Sequence, residues 1–126
     1  MILDASAVMA FVLQAPGQEV VAEALVAGAE MTTVNLAEVL TRYVLHGAPD
    51  KAEIIRRELP VTIVPVDEDL AYRAALMASQ TRQAGLSLGD HLCLALAQRT
   101  GDTVLTADRA WRDIAAAINV KVTLIR

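Results

Sequence analysis

Cysteine is almost absent from this chain. Cys93 is the only one among 126 residues, so no intramolecular disulfide can form, a usage that suits a reducing compartment such as the cytoplasm. Aromatic residues make up 3% of the chain, too few for extensive stacking on nucleic-acid bases. An excess of basic charge is also lacking. The 11 Lys and Arg residues against 15 Asp and Glu leave a net charge of -4, the wrong sign for a module that holds nucleic acid by a basic surface alone. Hydrophobic residues reach 55%, yet no apolar stretch approaches the ~18 residues of a membrane span. The run Met1–Leu13 lacks a basic leader and carries Asp4 in its apolar part, so it reads as mature structure and not as a signal peptide. Histidine is limited to His46 and His91, and neither GxSxG nor HExxH occurs, which argues against serine-hydrolase and zinc-protease chemistry. Linkers, repeats and low-complexity segments are missing as well, and the length suits a single domain over residues 1–126.

What the sequence does have is regular punctuation by glycine and proline. Hydrophobic periodicity predicts a strand at Met1–Leu3, helices at Ala5–Leu13 and Gln18–Ala27, and a strand at Glu30–Thr32. Helices follow at Asn35–His46, ended by Gly47-Ala48-Pro49, and at Asp50–Leu59, stopped by Pro60. The β-branched run Val61–Val66 reads as a strand, and Asp67 opens a helix to about Ala84. Leu88–Thr100 is an almost wholly apolar helix that must be buried on most sides. A strand at Asp102–Leu105, a helix at Arg109–Ile118 and a strand at Val120–Ile125 complete the pattern. Strands separated by helices of this length predict an α/β fold, a three-layer α/β/α sandwich around a parallel sheet. In such sheets ligands bind beyond the carboxyl ends of the strands.

Acidic residues stand where that rule directs attention. Asp4 follows the first strand, Glu38 follows the second, Asp90 lies in the first turn of the apolar helix, and Asp108 follows the Val104-Leu105 strand. They are 34, 52 and 18 positions apart, and the predicted winding brings them to one edge. Helix capping is the competing explanation. Ser87-Leu-Gly-Asp90 and Asn35-Leu-Ala-Glu38 both have capping-box spacing, and Asp4, Asp67 and Asp108 can each serve as an N-cap. Glu38 and Asp90 are nevertheless embedded in very apolar sequence, where acids are seldom buried without a partner. Carboxylates gathered in a partly buried cleft repel one another until raised pKa values or a cation relieve them. Mg²⁺ fits such a site, taking hard oxygen ligands, retaining waters and polarising a phosphoryl group.

The motifs Leu3-Asp4-Ala5-Ser6, Asn35-Leu-Ala-Glu38, Leu86-Ser-Leu-Gly-Asp90-His-Leu-Cys93-Leu-Ala95-Leu-Ala97 and Val104-Leu-Thr106-Ala-Asp108 resemble, in order and spacing, those of PIN-domain ribonucleases. The chain is most similar to the VapC-type toxins of toxin–antitoxin pairs, and the resemblance spans essentially its whole length. It implies about five parallel strands and a Mg²⁺ or Mn²⁺ site built from Asp4, Glu38, Asp90 and Asp108. It further implies cleavage of tRNA, rRNA or mRNA, a homodimer, and silencing by a cognate VapB-like antitoxin whose tail enters the acidic groove. Ser6 and Thr106 would orient Asp4 and Asp108 or a metal-bound water. His91 departs from the pattern, since many relatives carry arginine after the third acid.

Other residues carry two readings each. Arg42, one turn from Glu38, can contact phosphate or pair with Glu38. Arg109 and Arg112 can contact the RNA backbone or belong to a solvated face, and nine of the 11 basic residues are arginine. Asn35 reads better as the N-cap of its helix than as a substrate contact, and Asp113 as a surface acid. His91 reads as a partly buried residue more than an RNA contact, and His46 as a favourable dipole partner. Cys93, Trp111, Met9 and Met77 read as core. Asp67 follows a strand without a counterpart in the motif set, which makes it an internal control. Two rival metal enzymes are disfavoured. A phosphotransfer receiver needs paired acids after the first strand, and an aspartyl phosphatase needs DxD where this chain has Asp4-Ala5-Ser6. A non-catalytic protein-binding α/β domain and a housekeeping PIN nuclease remain as alternatives to the toxin.

Overall fold

The strands are short, and the helices between them are long enough to force parallel crossovers. The computed structural model describes residues 1–126. In chain order its elements are β1 (Ile2–Leu3), α1 (Ala5–Val12), α2 (Gln18–Ala27), β2 (Glu30–Thr32), α3 (Thr33–Leu45), α4 (Pro49–Glu58) and β3 (Thr62–Val64). There follow α5 (Glu68–Thr81), a 3-10 turn at Arg82–Ala84, α6 (Leu88–Thr100), β4 (Thr103–Thr106), α7 (Trp111–Ala115) and β5 (Lys121–Leu124). The sheet has 5 strands in the order β3-β2-β1-β4-β5, and every pairing is parallel. The chain winds outward from β1 through β2 to β3, then returns to the other side of β1 as β4. The topological switch point therefore lies between β1 and β4, whose register pairs Ile2 with Val104 and Leu3 with Leu105.

Alternation along the two central strands divides the core. Ile2 and Val104 face a cluster built from α5, α6 and α7 that includes Leu70, Met77, Cys93, Leu96 and Trp111. Leu3 and Leu105 face the opposite cluster, with Val8, Met9, Val21, Met31, Val39 and Ile55. This is the predicted sandwich, with both faces of a parallel sheet covered. Helix α6 is buried from Leu92 to Ala97, as its all-round apolar sequence requires. No helix is long and apolar enough to cross a membrane.

Three local expectations are corrected. Helix α3 begins at Thr33, ahead of Asn35, because the Thr32 hydroxyl accepts the Asn35 N–H and acts as N-cap. Asn35 is therefore not the cap, and Asn35 to Glu38 is not a capping box. The helix predicted at Arg109–Ile118 shrinks to Trp111–Ala115. Asp108 makes a local turn onto the Ala110 N–H instead of capping it, and Asn119 takes a left-handed φ of 56° before β5.

Candidate active site

Asp4 is anchored as it leaves β1. Its Oδ1 accepts the Ala7 N–H at 2.8 Å, which makes it the N-cap of α1. The same carboxylate accepts from the Ser6 hydroxyl at 2.8 Å and, through Oδ2, from the Thr106 hydroxyl at 2.7 Å. Both hydroxyls in turn accept from the loop after β4. Ser6 takes the Ala107 N–H at 2.9 Å, and Thr106 takes the Asp108 N–H at 3.0 Å. The two strands flanking the switch point are thus laced together through one buried carboxylate, 4% exposed. Ser6 and Thr106, singled out in the sequence, both donate to the Asp4 carboxylate.

Asp90 and Glu38 approach from two helices. The Ser87 hydroxyl accepts the Asp90 N–H at 3.2 Å, and the Asp90 carboxylate accepts the Ser87 N–H at 2.9 Å, completing the capping box read from the sequence. Capping occupies one Asp90 oxygen, Oδ2. Glu38 lies in the second turn of α3, half-buried, with its carboxylate against Gly89 of α6. A Cβ built on Gly89 would overlap the Glu38 Oε1, so only glycine admits the carboxylate there.

Asp4, Glu38, Asp90 and Asp108 all line one open cleft of about 550 Å³ at the carboxyl ends of the strands, with Ser6, Thr41 and Arg42. Arg42 forms no ion pair with Glu38; it stands exposed at the cleft. Burial pushes the Asp4 carboxyl above its ordinary range against the bonds from Ala7, Thr106 and Ser6, and the charge of Asp90 adds to the rise. Burial likewise raises Glu38, followed by repulsion from Asp90 and Asp4, while the Asn35 side chain works in the opposite direction. No three of the acids stand at metal-ligand spacing. The donor set is nonetheless all hard oxygen, two of its members are strained in their ionised form, and the cleft has room for a hydrated cation. Those properties fit Mg²⁺ or Mn²⁺.

The remaining residues sort out by position. Arg109, Arg112 and Asp113 are exposed and outside the residues lining the cleft. His91 bonds the Thr81 hydroxyl at 2.6 Å, and His46 ends α3 with its Nδ1 2.7 Å from the Arg42 carbonyl. Cys93, Trp111, Met9 and Met77 are core. Asp67 caps α5 and pairs with Arg99. Sequence reading undervalued Asn35, which is 1% exposed and donates to the Gly89 carbonyl at 3.2 Å, and overlooked Gly89 altogether. A glycine inside the first turn of a helix, where alanine is favoured by ~1 kcal/mol, was the available signal.

A family model described as PIN domain matches residues 1–117. No curated protein matches significantly in sequence. Among solved structures, a chain of the DNA-bound VapBC complex from Salmonella typhimurium superposes with a TM-score of 0.79 at 12% identity, covering 99% of this chain and 97% of that one. A chain of a toxin–antitoxin complex from Klebsiella pneumoniae gives 0.72 at 16%, with 99% and 97% covered. VapBC-5 from Mycobacterium tuberculosis, described as a member of the VapBC family of toxin–antitoxin systems, gives 0.64 at 25%, with 99% and 96% covered. The sequence match runs from β1 through α7 and takes in all four cleft acids, and the fold is shared along nearly the whole length; the chain belongs to the PIN domain family.

Proposed function

We propose that this chain is a metal-dependent endoribonuclease and the toxin of a toxin–antitoxin pair. The observation that carries the reading is the convergence of Asp4, Glu38, Asp90 and Asp108 on one cleft beside the topological switch point. In this reading residues 1–126 act as one domain, and the four carboxylates hold Mg²⁺, or Mn²⁺, directly or through water. A bound divalent ion would supply Lewis-acid polarisation of the scissile phosphate and a lowered pKa for the attacking water. The protein's share is positional. Ser6 and Thr106 hold the Asp4 carboxylate in one orientation, the Ser87 capping box fixes Asp90, and Arg42 at the cleft edge takes a neighbouring RNA phosphate. Arg109 beside Asp108 is a second backbone contact that an RNA extending past the cleft would reach.

The toxin assignment draws on the structural neighbours, which belong to VapBC and other toxin–antitoxin complexes. A VapB-like antitoxin that places a basic side chain among the carboxylates would silence the site by charge neutralisation. The protein would work as a homodimer in the cytoplasm. The test is cleavage of total RNA by the purified protein with Mg²⁺, with EDTA, and with Asp90→Asn in parallel. Cleavage that requires both the metal and Asp90 is expected. Cleavage surviving either loss would refute the assignment of metal and Asp90 to the reaction, and no cleavage at all beside undetectable Mg²⁺ binding by calorimetry would replace this reading with a protein-binding domain whose acids are helix caps.

A further inference from the structure

Asn35 is buried and bridges α3 and α6, the helices that carry Glu38 and Asp90, although nothing in its own helix requires an asparagine. A buried amide must have its oxygen and both hydrogens accommodated. The Thr32 hydroxyl donates to the Asn35 Oδ1 at 2.9 Å, and the same hydroxyl accepts the Asn35 N–H at 3.1 Å. With its oxygen so engaged, the amide must present its NH₂ group to α6, where it donates to the Gly89 carbonyl at 3.2 Å. Glu38 lies one turn along α3, and the Asn35 side chain works against the burial and acidic neighbours that raise its carboxyl. That carboxylate lies against Gly89, where the three atoms nearest a built Cβ all belong to the Glu38 carboxyl group.

We propose that Asn35 and Gly89 form a clamp: the amide ties α3 to the first turn of α6, and the missing side chain seats the Glu38 carboxylate beside Asp90. Asn35 and Gly89 are then positioning residues for the cation site, and the inference rests on the ribonuclease reading above. The clamp fixes the spacing between acids that approach from different helices, which helix capping alone leaves undetermined. Residues that orient metal ligands typically change metal affinity by ~10–100-fold when altered.

Two substitutions separate this role from a merely structural one. Gly89→Ala places a methyl group against the Glu38 carboxylate, its nearest neighbour, and replaces glycine with the best helix former. It should leave the melting temperature unchanged or raised while weakening Mn²⁺ binding, measured by calorimetry, about tenfold or more. Asn35→Asp keeps the shape of the side chain, removes both donors and sets an acid against Glu38. In metal-free protein it should lower the melting temperature by several degrees, and a Glu38→Gln background should return a large part of that loss. Mn²⁺ affinity in Gly89→Ala within twofold of the parent, or an equal Asn35→Asp loss in both backgrounds, would overturn the clamp. Failure of the unsubstituted protein to bind Mn²⁺ would instead overturn the ribonuclease reading, and the metal-free cycle would then decide the clamp alone.

Discussion

Thr106→Val isolates one hydroxyl at the centre of the Asp4 network. Thr106 is fully buried, and valine matches its shape, so packing is preserved and the polar interactions alone are lost. The first is the 2.7 Å bond to the Asp4 carboxylate, and a hydrogen bond to a charged group contributes ~1.5–3 kcal/mol. The second is the 3.0 Å bond from the Asp108 N–H, a neutral bond of ~0.5–1.5 kcal/mol. Together they predict a loss of about 2–4.5 kcal/mol, or ~8–18 °C in melting temperature for a chain of this size. Urea unfolding of metal-free protein at pH 7 measures it, with Thr106→Ser as the control that keeps the hydroxyl and gives up one methyl, ~1 kcal/mol. The loss must also depend on pH. Removing a donor to the ionised form raises the Asp4 pKa further, so the penalty is complete above the folded pKa and fades as the pH falls through it. Equal stability of the Val and Ser variants, or a penalty that does not change with pH, would refute the claim that Thr106 supports an ionised Asp4.

The carboxyls of Asp4 and Glu38 are raised above their ordinary values of 3.8 and 4.5, so the folded metal-free protein holds protons that the unfolded chain releases. Its stability should fall as the pH rises through those values toward the folded ones, Asp4→Asn should flatten part of that fall, and saturating Mg²⁺ should reverse it. Asp67, Asp69 and Asp102 are lowered by hydrogen bonds from Leu70, Arg73 and the N-terminal amine respectively. They act oppositely, their contribution being lost as the pH falls through their folded values, so urea titrations across the acid range should show a maximum between the two effects. Asp67→Ala, which removes the α5 cap and the Arg99 partner, should cost a few degrees of melting temperature and leave RNA cleavage at the parent rate.

The elements that were legible in the sequence are those bounded by local chemistry. Helix α2 between Gly17 and Gly28, and α6 between Ser87 and Gly101, have the ends their caps predict. The start of α3 shifted because its cap sits inside a strand. Thr32 is at once the last residue of β2 and the N-cap of α3, a double role that a strand pattern conceals. The four acids could be named because each follows a strand or opens a helix. What holds them could not, because the Asn35–Gly89 bond spans 54 positions and the Thr106–Asp4 bond spans 102, and no periodicity carries information over such separations.

Capping and metal binding were posed as competing explanations of the same acids, but the two roles are compatible. Asp4 caps α1 through Oδ1 while its Oδ2 receives Thr106, and Asp90 caps α6 through Oδ2. A cap fixes a side chain with one or two local bonds, and each carboxylate has about four acceptor positions. A ligand carboxylate must be held still before the cation arrives, or its lost rotamer freedom is subtracted from the affinity. The helix N-terminus therefore supplies the rigidity that a cation site needs, and its positive dipole helps keep the acid ionised. Asp108 caps no helix but is held by its local turn onto the Ala110 N–H; Glu38 has neither support, since it lies beyond the first turn of α3. It is also the acid seated against Gly89, whose carbonyl accepts from the buried Asn35 amide. The carboxylate that neither cap nor turn immobilises is the one for which the fold provides a clamp.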